Sequence, residues 1–358
     1  GGGYTINRGN NMRRRYRREE RRRQKQIMIF SMIGIFCFFS VGYATFSSNF
    51  LVSGKGTIIS KPITVDDLKT KVVTSGDGFY KDSIETKRYV YRGSNPSNYI
   101  WLDLNDDTSK TNNEIYRIIS VESDDTLKVV SQNLESNSAF DTENARYSSV
   151  STDYCISTYG CNVWGSKTTT LDSSGNNVTQ MPRAVGGTLY NLPTKEATLN
   201  TYLNTTFLNN IDLNFQKNIE THTFNVGAIN ALEGQTLETD ISQESAYKWK
   251  GKIGLMNPTD YVRASVNENC INAFSYYNDS ACYNYSTNHN YLFRAAHEWL
   301  ISPNSGYYDY VWRINYNQYL TSSRGYNESY YYRPSFYLSS NIKLKGSGTE
   351  DKPYEIAE

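Results

Sequence analysis

Trp249-Lys250-Gly251-Lys252-Ile253-Gly254-Leu255-Met256-Asn257-Pro258-Thr259-Asp260-Tyr261 reads as one strand that stops at Pro258 and turns into a helix over Thr259-Asp260-Tyr261. Proline cannot donate to a strand ladder but fits a first helical turn, so it marks the boundary. Just upstream, Phe224 to Ile229 reads as another strand. Before it, Pro193-Thr194-Lys195-Glu196 starts a helix with Thr194 as its cap, because Leu199, Tyr202, Leu203, Phe207 and Leu208 follow at three- and four-residue steps. Downstream, a short helix around Asn290 to His297 leads into Trp299-Leu300-Ile301-Ser302-Pro303. Val311 to Leu320 and Arg333 to Leu344 alternate like hairpin strands. Further toward the N-terminus, Tyr89 to Tyr91, Tyr99 to Leu104, Ile115 to Val121 and Leu127 to Val130 read as an antiparallel meander. Residues 135–180 are polar and patternless, which predicts a long loop. Strands, a helix and strands again predict an α+β fold with an antiparallel sheet.

A different signal precedes all of this. Nine cations between Arg13 and Lys25 run into an apolar stretch, Ile27 to Phe46, long enough to cross a bilayer as a helix. Flanking Lys and Arg stay on the cytoplasmic side, so the N-terminus is expected inside and everything after Ser47 outside. Ile27 to Val41 also fits a signal-peptide core, with cleavage after Ala44. Both readings export the remainder; the first gives a single-pass cell-membrane protein and the second a secreted one. A retained anchor is preferred. Residues ahead of Met12 read as a loose tail, with Met12 a candidate start. The expected organisation is a basic cytoplasmic tail (1–26), a transmembrane or signal segment (27–46), a short strand and linker (47–84) and an extracytoplasmic domain (85–356). Within 47–84, Phe50 to Ile59 carries the strand, and Val65, Leu68 and Val72 sit at the spacing of one short helix.

The 358 residues have a formal net charge of +1, but the basic surplus lies ahead of the apolar stretch. The exported part is therefore net acidic and lacks the basic footprint of a nucleic-acid binder. Of five cysteines, Cys37 lies in the apolar stretch. The other four form two close pairs, Cys155 with Cys161 and Cys270 with Cys282, which read as disulfides in an oxidising milieu. Zinc is the rival reading, but neither pair has CxxC spacing and the chain has three His.

Trp249 to Tyr261, Glu298 to Pro303 (EWLISP), Arg333 to Leu338 (RPSFYL), the closing Lys345-Gly346-Ser347-Gly348-Thr349…Pro353-Tyr354-Glu355-Ile356 and the early Asn98-Tyr99-Ile100…Glu114 to Ile119 together resemble exported proteins of gut Firmicutes. Those proteins carry a domain related to the C-type-lectin-like and sulfatase-modifying-factor-like fold. The resemblance covers roughly residues 85–356 and implies a lectin-like scaffold whose variable loops and last strands carry binding. It does not extend to the Glu-Pro-Asn and Trp-Asn-Asp motifs of calcium-dependent lectins, or to the active-site cysteine pair of the modifying enzymes.

The residues that draw attention as a site are Tyr307, Tyr308, Tyr310, Asn315, Asn317, Tyr319, Tyr326, Asn327 and Tyr330. Tyrosine gives large amphipathic contact area at small entropic cost, and asparagine adaptable hydrogen bonds; binding surfaces use this mixture. Strand alternation sends about half of such tyrosines into the core. Trp299, Trp312, Arg333 and Pro334 are read as scaffold. Asp103, Asn105, Asp107 and Glu114 match the ligand spacing of a calcium loop, with Thr108 where glycine is needed for the turn. The same residues read as an ordinary hairpin loop with solvated carboxylates, so no metal is assigned. No nucleophile elbow or phosphate-cradling loop occurs, and no cofactor or catalytic residue is named. The expectation is a membrane-tethered adhesion or ligand-binding protein recognising a glycan or protein outside the cell. A structural cell-envelope subunit and a carbohydrate-active or protein-modifying enzyme are the alternatives.

Overall fold

The computed structural model describes residues 50–52, 58–108, 110, 114–142, 146–156, 161–230, 235–267, 290–326 and 328–357. The expected export segment 27–46, Cys270, Cys282 and Asn327 lie outside the described residues. Among the described residues no helix is long and apolar enough to cross a membrane. The chain divides into two compact units, residues 1–61 and 62–358. In the first, β1 (Phe50–Val52) pairs antiparallel with β2 (Ile58–Ser60), so the expected strand and linker is a hairpin.

The second unit is α+β, mostly strands with few helices. It begins with α1 (Val65–Lys69), whose cap Thr64 accepts from the Asp67 N–H while the Asp67 carboxylate accepts from Thr64. That reciprocal cap lets a five-residue helix stand where length alone would not. Next come β3 (Gly78–Lys81), β4 (Tyr89–Arg92), β5 (Tyr99–Trp101), β6 (Ile115–Val121) and β7 (Leu127–Ser131). The meander expected from the β-branched runs is present: β6 pairs antiparallel with β4, β5 and β7.

The stretch 135–180 departs from expectation. It holds β8 (Thr170–Asp172) and buries Phe140, Tyr154 and Trp164 completely. Its polarity hid widely spaced aromatic anchors, which no periodicity test registers. After β9 (Gln180–Pro182) and β10 (Leu189–Asn191), a two-stranded ribbon, comes α2 (Thr198–Tyr202), continued by a wider turn over Leu203–Phe207. Thr194 is not its cap. The cap position is Ala197, three residues later; the helix begins at Thr198, whose N–H is satisfied by Asp141 Oδ1 at 3.0 Å, a partner remote in sequence.

β11 (His222–Asn225) ends before the expected Ile229. α3 (Leu237–Ser245) was not legible: LETDISQES carries a weak apolar stripe, and its cap Thr236 accepts from Thr239 N. The stretch read as one strand is two. β12 (Tyr247–Gly251) joins β8 and β11, whereas β13 (Ile253–Gly254) joins a different sheet, and the chain crosses between them at Lys252. α4 (Pro258–Arg263) follows as expected, with Pro258 at its start and the Asn257 N–H donating to Asp260 Oδ2 at 3.1 Å. The helix expected over 290–297 is absent. That segment is held by long-range bonds instead, Tyr291 N–H to Gly93 O at 2.7 Å and Asn290 Nδ2 to Tyr261 O at 2.6 Å.

β14 (Glu298–Pro303), β15 (Tyr310–Ile314) and β16 (Leu320–Arg324) form a three-stranded antiparallel sheet. β17 (Ser335–Leu338) makes no hairpin with the strand after it; it pairs with β7 on one side and β13 on the other. β18 (Leu344–Lys345) and β19 (Tyr354–Ile356) close the chain, and β19 lies parallel to β5. The main sheet thus runs β13-β17-β7-β6-β5-β19-β18, with β3 and β4 branching from β6, nine strands in all. β7, β14 and β17 are buried along their whole length. Trp164, Trp299, Trp312 and Phe336 fill the core between the sheets.

Candidate functional site

A second, smaller core decides where the tyrosine-rich loop sits. Tyr154, Cys155, Cys161, Val163, Met181 and Leu192 cluster apart from the main core, and Cys155 and Cys161 are joined as a disulfide. Asn162, beside that disulfide, is fully buried. Its amide donates to the carbonyls of both Tyr307 and Tyr310 at 2.8 Å, and its oxygen accepts from Tyr154 OH at 3.0 Å. The β14–β15 loop is thereby fastened to the bridged segment. Ser305 Oγ adds a second tie, accepting from the Val185 N–H at 2.8 Å.

On this seam three of the expected ligand residues come together. Tyr307 is 58% exposed, and its ring lies 4.6 Å from that of Tyr310. Tyr308 is half-buried, with the Arg183 guanidinium 5.4 Å from its ring centre. Arg183 also lies 3.8 Å from the ring of Tyr190, and its Nε donates to Tyr154 O at 2.9 Å. A guanidinium held over tyrosine rings is a weakly hydrated surface that desolvates at little cost. Arg324 lies 5.9 Å over Tyr310 and 3.3 Å from Asp309. Burial raises the Asp309 carboxyl above its usual range, against the pull of Arg324. Arg183 and Tyr190 were not named from sequence, since only folding brings them beside residue 308.

The other expected ligand residues lie elsewhere. Tyr310 and Arg313 are three apart on β15 and so face opposite sides. Tyr330 lies on the Arg313 side, with the guanidinium 4.6 Å from its ring, and it packs on Trp299 at 4.8 Å and His297 at 5.2 Å. It is a half-buried scaffold residue. Asn315 is buried and accepts from the Asn317 N–H at 3.2 Å, while its own N–H donates to Tyr319 O, so it shapes the β15–β16 turn. Asn317, Tyr319 and Tyr326 are half-buried.

Asp103, Asp107 and Glu114 do converge, with one oxygen of each within 4.8 Å of the others. Asn105 lies beside them, its amide donating to Glu114 Oε1 at 3.3 Å. Asp103 accepts from the N–H groups of Asp107 and Thr108, both at 3.1 Å, and Thr108 adopts φ +57°. Glu114 is buried and accepts from Leu104 N and Trp101 Nε1. These bonds are those of a self-satisfied loop. Of the two described histidines, His222 stacks on Tyr337 at 3.8 Å and bonds Asp124 at 3.0 Å, and His297 meets Arg313 at 2.7 Å.

Sequence reading missed a buried ionic network. Asp260 in the first turn of α4 meets Lys128 of β7 at 2.6 Å and Arg88, just ahead of β4, at 2.9 Å. Arg88 and Arg263 both reach Asp82, at 2.9 and 2.8 Å. Burial pulls both carboxyls up, but the cations overcome it: Asp82 is held at about 2 and Asp260 well below the carboxylate range. Nearby Glu244 makes no ion pair among the described residues. Burial pushes it up to about 7, although Thr259 hydrogen-bonds to it. The network clamps α4 to the main sheet.

A family described as a domain of unknown function, DUF6273, matches residues 190–340, the span from β10 through β17. No curated protein and no solved structure matches the chain.

Proposed function

We propose that this chain is an extracytoplasmic binding protein, tethered to the membrane by residues 27–46, with a C-type-lectin-like domain that recognises a glycan or protein on the cell exterior. The observation that carries the binding reading is the exposed Tyr307 beside the Tyr308–Arg183–Tyr190 stack. Exposed aromatics backed by a fixed arginine are what recognition surfaces use for affinity at small ordering cost. The lectin-like assignment draws on the meeting of the first and last parts of the domain, where β19 lies along β5. It draws also on a binding loop seated between two strands of a separate small sheet.

Screening fragment 62–358, which contains the whole of both cores, on glycan and protein arrays tests the reading. The expected result is a saturable signal lost on Tyr307→Ala with the thermal transition unchanged. Concentration-dependent assembly with no array signal would replace it with the structural, cell-envelope reading.

A further inference from the structure

Beside the second core lies a cleft of about 530 Å³, in the size range of small-ligand sites. None of Tyr307, Tyr308 and Tyr310 lines it, so it is separate from the tyrosine surface. Backbone bonds hold its walls: Lys167 N–H to Pro193 O at 2.8 Å, Tyr154 N–H to Asn191 O at 2.8 Å and Leu192 N–H to Thr179 O at 2.8 Å. Cys155 of the disulfide forms part of one wall. The cleft is therefore built before any ligand arrives.

Its charge is net positive, with three cations and one carboxylate in the lining. Arg146 lies in the wall but is spent. Its guanidinium is buried, pairs with Asp141 at 2.8 Å and donates to Val163 O at 2.7 Å. Asp153 keeps its negative charge, since hydrogen bonds from Ser148 and Asn191 hold its carboxyl below the usual range. Lys167 and Lys195 remain. Both are exposed at the cleft, and neither ammonium has a partner among the described residues. Around them stand the hydroxyls of Thr179 and Thr194, with Leu192 and Pro193 as apolar faces. Two free ammonium groups, hydroxyl donors and a flat apolar face suit a ring that carries both hydroxyls and a carboxylate.

The geometry points to a binding site for an acidic saccharide in this cleft, with Lys167 and Lys195 taking the carboxylate. Hydroxyls bond the threonines and Asn191, and the ring face lies on Leu192 and Pro193. The assignment stands apart from the function proposed for the tyrosine surface, and different variants test it.

Isothermal titration of the full chain in detergent with digalacturonate, and with its methyl ester as an uncharged control of the same shape, tests it. The acid should bind, more weakly at high salt because surface charges are screened over about 8 Å at physiological ionic strength. Lys167→Ala and Lys195→Ala should each weaken it roughly tenfold, the scale of one charge-assisted hydrogen bond. Tyr307→Ala should leave it unchanged. Both lysines are exposed, so an unaltered thermal transition separates lost binding from lost fold. Equal binding of acid and ester, affinity indifferent to the lysines, no binding of the acid, or preference for a Glu-Glu dipeptide over digalacturonate would each overturn the assignment.

Discussion

Lys128 Nζ lies 2.6 Å from Asp260 Oδ2, and both side chains are all but sealed from solvent. The pair ties the central strand β7 to the first turn of α4, and Arg88 holds the other Asp260 oxygen at 2.9 Å. Removing one member leaves buried cations uncompensated. Asp260→Asn should therefore cost about 3–5 kcal/mol, the range for breaking a buried pair from one side. Urea unfolding of fragment 62–358 reads this directly; a loss no larger than that of a surface substitution would contradict the network's role.

Two groups give stability opposite slopes with pH. Asp82, held at about 2, is depressed below its ordinary 3.8. Its contribution is present in full above pH ~4 and is lost as pH falls toward 2. Glu244 is raised from 4.5 to about 7, so between those values the unfolded chain holds fewer protons than the native one. Stability should then decline as pH rises across that window, by about 3 kcal/mol at most for this one group. Glu244→Gln should flatten the decline and leave the acid limb in place. Denaturant titrations at pH 5 and 7.5 compare the two proteins; an unchanged slope would assign it to another group.

The tyrosines named from sequence should separate by role. Tyr307→Ala should change folding stability by less than about 0.5 kcal/mol, as exposed positions do. Tyr330→Ala removes ring contacts to Trp299, His297 and Arg313 and should cost roughly 1–3 kcal/mol. Calorimetry of both variants checks the contrast.

Gly227 marks a close approach of two backbones. Its N–H donates to Glu244 O at 2.8 Å, and an added Cβ would stand 2.1 Å from Gln243 O and 2.7 Å from Glu244 O. Those carbonyls belong to α3 and cannot rotate away as a side chain would. Gly227→Ala should destabilise by about 1–3 kcal/mol, the usual cost of overpacking. A thermal melt matching the parent would show that α3 shifts freely.

The membrane orientation has its own test. A phosphatase fused after Glu358 should be active, and a cytoplasmic reporter at the same place inactive, if residues 27–46 carry the chain outward. The reverse pattern would remove the extracytoplasmic reading.

Several elements were legible because their cause is local. β6 and β7 are β-branched runs between turn residues, and α4 follows from Pro258. Cys155 and Cys161 lie six residues apart, close enough for spacing alone to suggest their bond. The candidate tyrosines were half legible: composition picked out Tyr307 and Tyr330 alike, but only strand alternation and a distant Trp299 told surface from scaffold.

By itself, the amino-acid order determined the α+β class, the antiparallel meander and the aromatic character of the C-terminal part, since each rests on neighbours a few residues apart. Tertiary structure alone decided that Trp249 and Ile253 serve different sheets, that Asp141 caps a helix 57 residues away, and that Arg88 meets Asp260 across 172 residues. Such pairings are chosen by burial and charge compensation in the folded state, and a linear pattern has no means of recording them.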